Sequence, residues 1–147
     1  ESAPANSGLP RDDGASCLAS IAVANAGDVI RVRQAAREMS RTVGFAVVDQ
    51  TRLVTAISEA ARHMLAVAGG CQCDVVARRA GQTAVVEVGM VNVGPVTSGL
   101  EAASRPDRGA GESLGGGLPG VRRLVDEFLV EPEAEGTRVS FRFSRSV

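Results

Sequence analysis

The chain has 147 residues and a net charge of -1, with 16 basic against 17 acidic side chains. That length suits one compact domain with a single modest core. The balanced charge calls for neither a polyanion nor a membrane surface as partner, and with aromatics at 3% and no Trp or Tyr the stacking surfaces used to bind nucleic acid are missing.

Residues 1–16 are rich in Pro, Gly, Ser and Asp and read as a flexible leader, with 17–147 as one domain. No apolar run is long enough for a bilayer, and no basic-then-apolar signal pattern opens the chain, so a cytoplasmic location is expected. The run LASIAV at 18–23 predicts a strand, followed by a turn at Asn25, Ala26 and Gly27, with Asp28 as the helix N-cap. Val32, Ala35, Ala36, Met39 and Val43 recur at helical spacing, which predicts an amphipathic helix over 29–43 stopped by Gly44. A second helix starts near Asp49 and carries Leu53, Ile57, Ala60, Met64 and Ala68 on one face, ending at Gly69 and Gly70.

Strands at 73–79 and 83–92 flank Ala80, Gly81 and Gln82 as a hairpin. Residues 94–117 hold many Gly, Ser and Pro and little periodicity, which suits a mobile lid. A third helix is expected from about Pro119 through Val121, Leu124, Val125 and Phe128, and one or two strands close the chain, with Val139, Phe141 and Phe143 alternating against polar neighbours. The sum is an α+β, two-layer sandwich with helices on one face of a mixed, mostly antiparallel sheet. Cys17, Cys71 and Cys73 form no even framework, and with His63 the only histidine they suit buried free thiols better than a zinc site.

The runs VRQAAREMSRTVGF, VDQTRLVTAISEAAR and GGGLPGVRRLVDEF, in this order, resemble those of the RsbT-type switch kinases and anti-sigma factors, of the GHKL superfamily with its Bergerat ATP-binding fold. The likeness covers about residues 28–143. It implies an ATP site in which the second helix supplies a Glu and an Asn, a strand end supplies an adenine-binding Asp, and a Gly-rich segment closes over the phosphates. It also implies a STAS-domain partner, and a PP2C-type phosphatase or a sigma factor as further ones.

Placed on this sequence, Glu59 matches the general base that takes the proton of the acceptor hydroxyl. From the residues alone a solvated helix carboxylate is an equal reading. His63, one turn on, stands where the resemblance implies the Asn that ligates Mg²⁺; imidazole suits softer metals, so a ligand role ranks below capping or lining the pocket. Asn92 takes the place of the adenine-binding Asp, keeping a carbonyl acceptor without the charge, which weakens adenine binding by ~1 kcal/mol. Gly94 follows it, while Val96 replaces a glycine of that motif. Gly115, Gly116, Gly117, Leu118 and Gly120 form the Gly-rich helix start, where backbone N–H groups and the dipole attract phosphate, although the glycines alone equally suit a hinge. Arg105 and Arg108 in the lid are within reach of a terminal phosphate in such a site.

Two functions of different classes follow. One is a serine/threonine protein kinase for STAS-domain partners, using ATP and Mg²⁺. The other is a degenerate, non-catalytic module of the same fold that works as a partner-binding switch. Arg33, Arg37 and Arg41, four residues apart, mark a docking stripe for an acidic partner.

Overall fold

The computed structural model describes residues 16–93, 117–133 and 136–147. The elements in chain order are β1 (Ser16–Val23), α1 (Ala26–Thr42), α2 (Val47–Ala68), β2 (Cys71–Ala80), β3 (Thr83–Val93), α3 (Gly117–Leu124), β4 (Glu127–Glu133) and β5 (Gly136–Ser146). The five strands form one sheet in the order β1-β2-β3-β5-β4, and every pairing among the described residues is antiparallel. The α+β, two-layer expectation holds.

Strand alternation builds the two faces. Cys73, Val75 and Ala77 of β2, Val86, Val88 and Met90 of β3, and Val139, Phe141 and Phe143 of β5 point to one side and are buried. The helices cover that side with Val29, Val32, Ala36 and Met39 of α1 and Leu53, Ile57, Ala60 and Met64 of α2. The other side is polar: Arg78 binds Glu87 at 2.9 Å, and Arg142 lies 3.7 Å from Glu87 and 3.5 Å from Glu127. These partly exposed pairs set strand register more than they add stability. A shallow groove of about 610 Å³ on the same side runs past Asp74, Gly89, Leu129 and Ser140.

Local chemistry explains the helix ends, with two corrections. The N-cap of α1 is Asn25, not Asp28: Asn25 Oδ1 accepts the Asp28 N–H at 3.0 Å, and Asp28 Oδ2 accepts the Ala24 N–H at 2.9 Å. This is a capping box displaced by one residue, with Asp in the Glu position accepting from the residue before the N-cap. The third helix stops at Leu124 rather than reaching Phe128, because residues 127–133 pair with β5 and turn Phe128 and Val130 toward the core.

At the end of α2, Gly69 adopts φ 81° as a left-handed cap. Gly70 follows at φ 141°, and a Cβ there would stand 2.5 Å from the Val23 carbonyl oxygen, so only glycine lets the chain turn into β2 against β1. At the other end, Asp49 in the first turn accepts from Arg145 Nε at 2.9 Å, and Arg145 Nη1 reaches Asp126 at 2.8 Å. One guanidinium of β5 thus ties that strand to α2 and to the turn before β4. The three cysteines are free thiols, but only Cys73 is buried, Cys17 and Cys71 being half-buried; burial pushes the Cys71 thiol up to about 12 and Cys73 further. No described helix is long and apolar enough to cross a membrane.

Candidate functional site

The α2 pair is built as its spacing predicts. Glu59 and His63 sit one turn apart on the flank of the stripe formed by Leu53, Ile57 and Met64. The Glu59 side chain is 16% exposed, and Arg62, exposed on the next turn, approaches it at 3.3 Å. His63 is half-buried, and its Nε2 is sealed from solvent without a hydrogen-bond partner among the described residues. Burial pushes His63 below its ordinary 6.5, against a smaller upward pull from Glu59, so the imidazole is held neutral.

That shift has a testable sign. The unfolded chain binds this proton more readily than the folded one, so the His63 contribution is intact above 6.5 and is lost as pH falls through 6.5 toward the lower folded value. His63→Asn is expected to flatten the pH dependence of urea unfolding just below about pH 6.5. An unchanged slope in that window means the imidazole is not held neutral by burial.

Asn92 lies at the end of β3, 2% exposed, on the helix-covered side of the sheet. Its register partner across the ladder is Thr137, which is fully buried at the start of β5. Asn92 Oδ1 accepts the Thr137 backbone N–H at 3.0 Å. Asn92 Nδ2 and Thr137 Oγ1 are both buried without a partner among the described residues. Native interiors rarely leave such groups unpaired, and two side by side at a strand end are what a bound polar ligand would satisfy.

Gly117 opens α3, and Leu118 and Gly120 are buried in its first turn. α3 packs against α2, the helix that carries Glu59 and His63, and α2 also packs against β3. Gly94, Val96, Arg105, Arg108, Gly115 and Gly116, with the rest of the expected lid, lie outside the described residues. Among the described residues no hydrogen bond or ion pair joins the α2 pair to Asn92, so these are two separate polar spots, one on the helix layer and one on the sheet. No group of three or more His, Cys, Asp or Glu side chains able to hold a metal occurs among the described residues.

Comparison with known proteins gives the family. No family model matches the chain. A stretch of 117 residues, 76% of this chain and 85% of the relative, is 37% identical to the serine/threonine-protein kinase RsbT of Bacillus subtilis. The chain belongs to the RsbT family. Its fold is also similar to that of a chain in the crystal structure of the SiaB-SiaC complex from Pseudomonas aeruginosa, with a TM-score of 0.51 over 88% of this chain and 89% of that one, at 13% identity.

Against that family the fit of a nucleotide can be judged from the chain's own atoms. The orphaned Asn92 amide and Thr137 hydroxyl fit a base edge. His63 fits magnesium poorly, because Mg²⁺ takes oxygen ligands and the buried atom here is an imidazole nitrogen. Thr137 is the residue that sequence patterning missed in this RsbT relative. A threonine opening a strand reads as an ordinary β-former, and only the pairing with Asn92, 45 positions away, sets it apart.

Proposed function

We propose that this chain is a partner-switching serine/threonine kinase of the cytoplasm that phosphorylates a STAS-domain protein. The 37% identity to a serine/threonine-protein kinase carries this proposal, and the paired orphan groups at Asn92 and Thr137 support it with a place for a nucleotide base. The nucleotide, ATP in the family assignment, would supply the transferable phosphoryl group. The base edge would lie against Asn92 and Thr137, and the backbone N–H groups at Gly117 and Leu118 would face the phosphates at the N-terminus of α3. Glu59 would take the proton of the acceptor hydroxyl at a carboxylate oxygen, with Arg62 orienting it. The Bergerat fold, the glycines before α3 and Arg108 belong to the same proposal.

Partner docking has its own surface. Ile30, half exposed, lies with Arg33, Gln34, Arg37, Glu38 and Val54 along a groove of about 460 Å³ between α1 and α2. Arg41 is paired with Glu38, whereas neither Arg33 nor Arg37 has an ion pair among the described residues. A free cationic pair beside an apolar strip suits an acidic partner segment with an apolar centre. Arg37→Glu is expected to weaken binding of the STAS partner about tenfold, with a reduced salt dependence. Equal affinity of the variant and the parent places the interface elsewhere.

The experiment that tests the function is incubation with purified STAS-domain partners and γ-labelled ATP. Label on a Ser or Thr of the partner is the expected result. Stable partner binding without label overturns the kinase and leaves the second reading, a binding switch, which the imidazole in the metal position favours.

A further inference from the structure

The two helices that would meet in phosphoryl transfer are α2, which carries Glu59, and α3, which opens with Gly117 and Leu118. Leu118 and Val121 of α3 are fully buried in the same core as Leu53, Ile57 and Met64 of α2. Such apolar contact holds the helices together, but it is non-directional and fixes neither their angle nor their offset. Directional bonds do that, and they lie at the far ends of both helices.

The α2 helix begins behind Ala46, a residue with no side-chain acceptor to cap it. Its first turn is held from outside instead, by the Asp49 carboxylate accepting from Arg145 Nε at 2.9 Å. The α3 helix ends at Leu124, and Asp126 just beyond it is anchored to β5. The Asp126 N–H donates to the Arg142 carbonyl at 3.0 Å, and its Oδ2 accepts from the Ser144 N–H at 2.7 Å and from Arg145 Nη1 at 2.8 Å. A planar guanidinium bonding from two of its nitrogens fixes direction as well as distance. It also lies 5.3 Å from the centroid of the buried Phe143 ring, which steadies it. Measured from this shared anchor, Glu59 lies about 15 Å along α2 and the first turn of α3 about 12 Å back along α3, at 1.5 Å per residue. A tilt at the Arg145 end therefore moves both reacting ends.

We propose that Arg145 is a positioning residue for phosphoryl transfer, setting α2 against α3 and thereby the Glu59 carboxylate against the phosphates. This rests on the transfer reaction proposed above.

The test is single-turnover transfer from labelled nucleotide to the STAS partner by Arg145→Met, Asp49→Ala and the double variant, with ADP and partner affinities measured alongside. Methionine keeps an apolar stem over the Phe143 ring and removes every donor. Asp49→Ala cuts the link on the α2 side and leaves Asp126 on its β5 anchor. Each single variant is expected to lower the transfer rate about tenfold and to keep both affinities within about twofold, because a misplaced base costs rate and not binding. The double variant is expected to be no slower than Arg145→Met, since both changes break one link. Losses that multiply in the double variant overturn the proposal, because the two residues then act independently. Loss of ADP and partner affinity in step with the rate also overturns it, since Arg145 then serves only general stability. If Arg145→Met does not fold, Asp49→Ala alone decides. No transfer by the parent chain refutes the kinase reading, and the positioning role falls with it; transfer that the variants keep at the parent rate refutes the positioning role alone.

Discussion

Glu59→Gln is expected to lower phosphoryl transfer to the STAS partner by about 10²–10⁴-fold while leaving partner affinity unchanged. Glutamine keeps the length and planarity of the side chain and removes its ability to accept a proton from the attacking hydroxyl. The site favours a clean result. The Glu59 side chain is only 16% exposed and its described contact is with the exposed Arg62, so the substitution disturbs a weak ion pair and little packing. The measurement is single-turnover transfer from labelled nucleotide alongside nucleotide affinity. A rate within a few fold of the parent removes Glu59 from the chemistry. Arg62→Ala separates positioning from proton transfer: it is expected to reduce the rate by a smaller factor and to leave the pH profile where it was.

Phe143→Ala is expected to cost about 3–5 kcal/mol of stability, the usual range for deleting a buried aromatic ring. Phe143 is fully buried on β5, its ring centroid 6.5 Å from that of Phe45 in the connection between α1 and α2. The Arg145 guanidinium lies 5.3 Å from the centroid of the same ring. With no Trp or Tyr and four Phe in the chain, few other side chains are large enough to fill the space left behind. A loss of this size is a large share of the about 5–15 kcal/mol that holds a domain folded. Urea unfolding reads it as a lower midpoint with an unchanged slope. A loss below about 1 kcal/mol would show that the layer around Phe45 collapses onto the gap.

What could be read from the sequence follows how local the determining contacts are. The 3.6-residue spacing of Val32, Ala36 and Met39, and of Leu53, Ile57 and Met64, predicts α1 and α2 because it is a property of one segment at a time. The hairpin at Gly81 was equally legible. The strand β4 was not. Val121, Leu124, Val125 and Phe128 continue a helical pattern, and what overrides it is pairing with β5, a partner outside the segment. The site divides in the same way. Glu59 and His63 show themselves by separation along one helix, whereas the Asn92–Thr137 pair exists only once β3 and β5 lie side by side. The direction of the Asn92 amide has no sequence signal at all.

The strand order has a consequence for how the chain is made. β5, the last described element to be synthesised, lies inside the sheet between β3 and β4 rather than at its rim. Until it is available, β3 has one unpaired edge, and β4 has no strand to pair with, since β5 is its sole neighbour. At ordinary elongation rates that interval lasts on the order of seconds on the ribosome. During it α1, α2 and the β2–β3 hairpin can form from local contacts, while the inner face that Val139, Phe141 and Phe143 will cover stays open. Completion is then one late insertion, and the nascent chain depends on being kept from its neighbours until Ser146 has emerged.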